Sequence, residues 1–134
     1  MKRFWIAVVA GFVFILFWGW FYNGGVLRHS FMEVQQLFRT PDEVREHFIW
    51  ILIGDFGLAL AFTMIYASGF AGGGIKSGIK LGIMLEILAV AARCLIYAAQ
   101  PFPISFLALT TLGGFMEMIG AGIIVGAIYR RVES

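Results

Sequence analysis

Four apolar runs, each close to twenty residues or longer, constrain this chain more than any other feature: Phe4 to Tyr22, Phe48 to Ser68, Leu81 to Ala99 and Ile104 to Tyr129. Bilayer hydrocarbon is about 30 Å thick, and about 20 apolar helical residues cross it. The expected fold is an all-α membrane protein, an antiparallel bundle of four transmembrane helices in a single domain over residues 1–134. The balance of residues agrees, with 60% hydrophobic, 13% charged and a mean hydropathy of +0.89, far from that of a soluble domain. A formal charge of +2 is too small to argue for nucleic acid.

Basic residues report orientation instead. Lys2, Arg3, Lys76, Lys80, Arg130 and Arg131 fall on one side of the four runs, against Arg28, Arg39 and Arg45 on the other. The positive-inside rule therefore predicts that both termini and the loop from Phe70 to Lys80 are cytoplasmic. Aromatic residues test this without using charge. Trp5, Tyr66 and Tyr129 mark the inner interface, and Trp18, Trp20, Tyr22, Trp50 and Tyr97 the outer one. The opening run is followed by bulky WGWFYN instead of a small-residue cleavage site, so it is expected to remain as a first span. Cys94 is the single cysteine, which excludes intramolecular disulfides and thiolate metal clusters.

Outside the runs the largest polar stretch is residues 23–47, on the expected outer side. Asn23-Gly24-Gly25 should end the first helix. Phe31, Val34, Leu37 and Phe38 then recur at helical spacing, as in a short amphipathic helix lying on the surface; a docked loop is the alternative. Thr40-Pro41-Asp42-Glu43 reads as a capping box, placing the start of the second helix near Pro41. Phe70 to Gly74 should break that helix, and Gln100-Pro101-Phe102-Pro103 should turn the chain into the last. The glycine triplet Gly72-Gly73-Gly74 has neither the lysine and hydroxyl of a phosphate loop nor a preceding strand, so it predicts no nucleotide site.

Chemistry can be sought in the charges that interrupt the apolar runs: Asp55, Glu86, Arg93 and Glu117. Each costs about 2.5–3.5 kcal/mol to insert on translocon scales, and such residues usually face the bundle interior beside partners. Depth predicts an Asp55–Arg93 pair, since each lies about 10 Å inside the outer boundary at about 1.5 Å per residue. Glu86 and Arg93 share a face but are separated by a rise of about 10 Å, which argues against contact. Glu86 and Glu117 lie nearer the middle with no base assigned, so at least one is expected to hold a proton. Small residues accompany the charges: Gly78, Gly82, Glu86, Ala89 and Arg93 form one stripe, Gly113, Glu117, Gly120 and Ala121 a second, with Gly122-x-x-x-Gly126 beside it. Such stripes let membrane helices approach closely.

Two functional readings follow. In the first, the charges fix helix register in a non-catalytic structural or accessory subunit, whose partners are the bilayer and either other membrane subunits or a second copy. In the second, Glu86 and Glu117 bind and release protons or a cation during transport, because transporters place coupling sites near the midplane. No cofactor or metal is expected. His29 and His47 lie outside the spans, so neither is placed to ligate a haem, and a zinc site from His29, His47 and Glu43 or Glu46 has only the i, i+4 spacing of Glu43 and His47 in its favour.

Taken together, RFWIAVVAGFVFILFWGWFYNG, WILIGDFGLALAFTMIY, GIKSGIKLGIMLE and GAGIIVGAIYRR resemble a recurrent set of small uncharacterised bacterial membrane proteins with four spans. The resemblance runs over nearly the whole chain and rests on glycine positions and the acid at Gly54-Asp55. It implies a four-helix fold in a bacterial inner membrane and no particular activity. Small multidrug transporters are of similar size but carry their essential glutamate in the first span, where this chain has no acid.

Overall fold

The computed structural model describes residues 2–28, 32, 36 and 41–133, and all their regular secondary structure is helical. The four long helices are α1 (Lys2–Phe21), α3 (Phe48–Gly69), α4 (Gly74–Ala99) and α5 (Ile104–Glu133), with a short α2 (Pro41–Glu46) before α3. Three stretches, Lys2–Gly25, Phe48–Gly69 and Ile104–Tyr129, are long and apolar enough to cross a membrane. Helix α4 has the length, 26 residues, but carries Lys76, Lys80, Glu86 and Arg93 and stands apart from those three. The surface helix expected over 31–38 and the Thr40 cap lie outside the described residues.

Three boundaries differ from expectation. Asn23-Gly24-Gly25 does not end the first helix; it widens into a π-helical turn, Tyr22–Val26, closed by Leu27 N–H to the Tyr22 carbonyl at 2.8 Å. The turn is held from α5, because the Tyr22 hydroxyl donates to the Leu109 carbonyl at 2.5 Å. The second helix does begin at Pro41, but His47 interrupts it at φ −102°, ψ 18°. There the His47 N–H is shared between the carbonyls of Glu43 and Val44, each at 3.1 Å. Helix α4 begins seven residues before its apolar run, after a 3₁₀ turn at Ala71–Gly73. Its first residue, Gly74, has φ 62° and ψ −138°, a conformation that a side chain would strain.

Helix α5 is the hub. Pairing with α1 runs antiparallel along the whole length: Arg3 lies over the Tyr129 ring at 5.0 Å, Gly11 is beside Val125, Phe14 is against Gly120, Trp18 Nε1 donates to the Gly113 carbonyl at 3.1 Å, and Tyr22 reaches Leu109. On its other side α5 packs antiparallel on α4, and this is the most extensive interface in the molecule. Helix α3 leans on α1, through Gly11 against Ala59 and the Phe12 and Phe56 rings 5.8 Å apart, and hardly touches α4 or α5.

The buried cluster of Ala7, Ile15, Ala59, Phe62, Tyr66, Leu81, Met118, Ala121, Val125 and Tyr129 joins all four long helices. At the end that carries Arg3, the Tyr66 ring of α3 sits 5.0 Å from that of Tyr129, and its hydroxyl donates to the Gly74 carbonyl at 2.9 Å. Many large apolar side chains remain on the outside, among them Val9, Phe17, Trp50, Ile53, Leu88 and Leu95. In water that surface would drive aggregation.

Candidate polar site within the bundle

The site begins with a seam of backbone contacts. Gly78 of α4 and Gly122 of α5 face each other so closely that a Cβ on either would strike the carbonyl of the other; Gly82 abuts the Met118 carbonyl, and Gly126 abuts Gly74 and Ile75. Where only hydrogen projects, two helix axes can approach until the peptide groups touch, which adds dispersion contact and directs Cα–H groups at carbonyls. One turn further along each helix the seam reaches Glu86 and Gly114. A Cβ at Gly114 would overlap the Glu86 carboxyl and come within 2.8 Å of Arg93 Nη2. Gly114 is therefore the residue that makes room for the charges.

Glu86 is buried, 2% exposed, and its Oε1 accepts a hydrogen bond from Arg93 Nη1 in an ion pair within α4. This corrects the depth argument: among the described residues Arg93 is paired with Glu86, and no base is placed against Asp55. Rise alone misleads because side chains on a helix tilt toward its N-terminus. Arg93 is the C-terminal member of the pair, so its long stem descends along the helix toward Glu86, which spans most of two turns. The guanidinium keeps some exposure, with its side chain 29% accessible.

Glu117 lies on α5 between Gly113 and Ala121, and its carboxyl feels the charges of Asp55, Glu86 and Arg93. Glu117 thus shares its electrostatic surroundings with the other three charges of the apolar runs, three carboxyls for one guanidinium. Asp55 and Glu117 are half-buried, and Asp55 belongs to the N-terminal half of α3. From Phe48 to Leu58 every residue of α3 is exposed or half-exposed, whereas Ala59, Phe62, Thr63 and Tyr66 are buried.

The glycines divide differently from the sequence stripes. Gly78, Gly82, Gly122 and Gly126 line the α4–α5 seam, but Gly113 is covered by the Tyr22 ring and Gly120 by Phe14, so both face α1 instead of matching α4. Sequence reasoning missed Gly114, whose signal was the i, i+4, i+8, i+12 register with Met118, Gly122 and Gly126. His47 turns Nδ1 to the Glu43 carbonyl at 2.8 Å, while His29 lies outside the described residues. Comparison with protein-family models, with curated proteins and with solved structures finds no match.

Proposed function

We propose that the chain crosses a bacterial inner membrane four times, with both ends cytoplasmic, and serves as a non-catalytic structural or accessory subunit. Three helices meet the length and polarity of a span. The fourth, α4, becomes compatible with lipid because its most buried charge, Glu86, is neutralised by Arg93 on the same helix and roofed by Gly114. Lys76 and Lys80 sit in its first two turns, at the end where Arg3 and Tyr129 meet. They complete a basic rim on the side assigned to the cytoplasm.

The single observation that carries the subunit reading is the outer half of α3. Every residue there from Phe48 to Leu58 is exposed or half-exposed, and Asp55 stands at membrane depth with no base against it among the described residues. An acid in that position suits a second transmembrane chain, or a second copy, that brings a cation to the same depth. Gentle purification from native membranes, followed by identification of co-purifying chains, tests this. A stoichiometric partner or a homo-oligomer lost in Asp55→Asn is expected, and a wild-type chain recovered only as a monomer would overturn it.

A second reading, proton- or cation-coupled transport at Glu86 and Glu117, is favoured by the excess of three carboxyls over one guanidinium. An uncompensated charge is costly in low dielectric, so the group must take up a proton or cation to approach neutrality. Coupled flux in reconstituted vesicles should vanish with Glu117→Gln. Flux that survives the substitution would remove this reading.

A further inference from the structure

We propose that the outward face of α1 holds an anionic phospholipid of the cytoplasmic leaflet, with its acyl chain along Trp5, Ile6, Val9 and Ala10 and its headgroup phosphate at Lys2. The inference rests on the membrane placement proposed above and on neither activity. Four features lead to it.

First, α1 has a side that no other helix covers. Ala7, Val8, Gly11 and Ile15 are buried, and Gly11 lies beside Ala59 of α3 and Val125 of α5. Lys2, Trp5, Ile6 and Val9 recur at i, i+3, i+4 and i+7, so they share the opposite side of the helix. There Trp5, Ile6 and Val9 are 49%, 49% and 54% exposed. Second, that side is concave. Lys2, Trp5, Ile6, Val9 and Ala10 line an open groove of about 560 Å³ whose walls are apolar, so Lys2 enters it by its methylene stem. The Phe4 ring stands at 87° to the Trp5 indole, with centroids 5.1 Å apart, and braces that wall.

Third, the length is that of one leaflet. From Lys2 to Ala10 the helix rises about 12 Å at about 1.5 Å per residue, and half of the hydrocarbon core is about 15 Å. Fourth, the end at the membrane surface is basic. Lys2 is exposed, and among the described residues no salt bridge engages it. Arg3 beside it lies over the Tyr129 ring, and from Lys2 to Phe21 the helix carries no acid. Basic side chains at this level attract anionic headgroups. A second protein helix suits the face less well. Close approach of membrane helices uses small residues, as α4 and α5 meet on glycines. This face presents Trp5, Ile6 and Val9 instead, a surface to which a flexible acyl chain conforms.

Fluorescence of Trp5 reads the occupancy in the full chain carrying Trp18→Phe, Trp20→Phe and Trp50→Phe. The bilayers mix phosphatidylcholine with phosphatidylglycerol, and the acyl chains of one or the other are brominated. Brominated phosphatidylglycerol should quench Trp5 with a preference of about fivefold, the scale of one lysine beside an anionic lipid. Lys2→Gln should remove that preference, and Ala10→Leu, which keeps the charge but fills the groove, should lose most of it. Equal quenching by the two lipids in the chain that keeps Lys2 overturns the proposal. So does a preference that survives either substitution, the mark of diffuse attraction to the basic rim. If the three tryptophan replacements prevent folding, native mass spectrometry of the unaltered chain from mixed micelles decides. That chain should retain a phosphatidylglycerol that Lys2→Gln loses, and identical lipid retention overturns the proposal. A second copy covering the face would shield Trp5 from both lipids while Trp50, retained alone, is quenched, which also refutes it. Failure of the membrane placement would appear separately, as a lone Trp50 that neither lipid quenches.

Discussion

Replacing Gly78 by Ala probes the α4–α5 seam with one methyl group. Two effects oppose each other. Alanine is a better helix former than glycine by about 1 kcal/mol in a helix interior, so on an unpartnered face the substitution stabilises. At Gly78 the new methyl would overlap the carbonyl oxygen of Gly122, and because the obstructing atoms are backbone, no rotamer change relieves the clash. Overpacking of this kind costs about 1–3 kcal/mol, and parting the helices would also loosen the Gly82–Met118 and Gly126–Gly74 contacts. The clash should win, for a net loss of about 1–2 kcal/mol. Gly57→Ala is the matched control, since its added methyl meets nothing within 4 Å. Equilibrium unfolding of both variants in mixed micelles with increasing SDS, followed by circular dichroism, should place Gly78→Ala below wild type and Gly57→Ala at or above it. Gly78→Ala and Gly122→Ala should be strongly non-additive because they open the same gap. If Gly78→Ala proves as stable as Gly57→Ala, peptide-to-peptide contact does not hold α4 to α5.

Further outcomes follow from the same contacts. Glu86→Ala should be the most damaging change in the polar group, at about 3 kcal/mol, a value at the low end for a broken buried pair because Arg93 is partly accessible. The double variant Glu86→Ala with Arg93→Leu should recover much of that loss in the same titration. Tyr66→Phe removes the hydroxyl that reaches Gly74 and should cost about 0.6–1 kcal/mol, the scale of polar contacts between membrane helices. Gly114→Ala should weaken the Glu86–Arg93 pair while leaving both residues unsubstituted, because its methyl group enters the space their side chains occupy. Its signature is a smaller penalty for a subsequent Arg93→Leu than in wild type, and an unchanged penalty would refute the role given to Gly114.

Much of the helical layout was legible in the residues. Apolar runs of spanning length mark the long helices, Pro41 starts a helix, and Pro101 and Pro103 separate the last two; these are local signals, carried by propensity and by the missing N–H of proline. Boundaries that depend on a neighbour were not legible. The helix continues through Asn23-Gly24-Gly25 as a π-helical turn because Tyr22 is anchored on α5, and no local pattern encodes that anchor. Within the candidate site the four charges were conspicuous as charges, while their pairing was not. Depth favoured Asp55 for Arg93, but the tilt of side chains toward the helix N-terminus delivers the guanidinium to Glu86.

By itself the sequence determined that the chain is helical, that three of its long segments are apolar enough to cross a membrane, and that glycines recur at intervals which bring helices close. Those properties reside in single residues and short spacings, so they survive without coordinates. Only the tertiary structure decided which glycine faces which helix: Gly113 and Gly120 turn to α1, Gly114 and Gly122 to α4. It also decided that α5 is the hub and that α3 is held at one end. A helix surface offers several faces of nearly equal apolarity, and a stripe of small residues states that something approaches without stating what. The choice among neighbours is made by the interlocking of whole surfaces, a property of the assembled molecule.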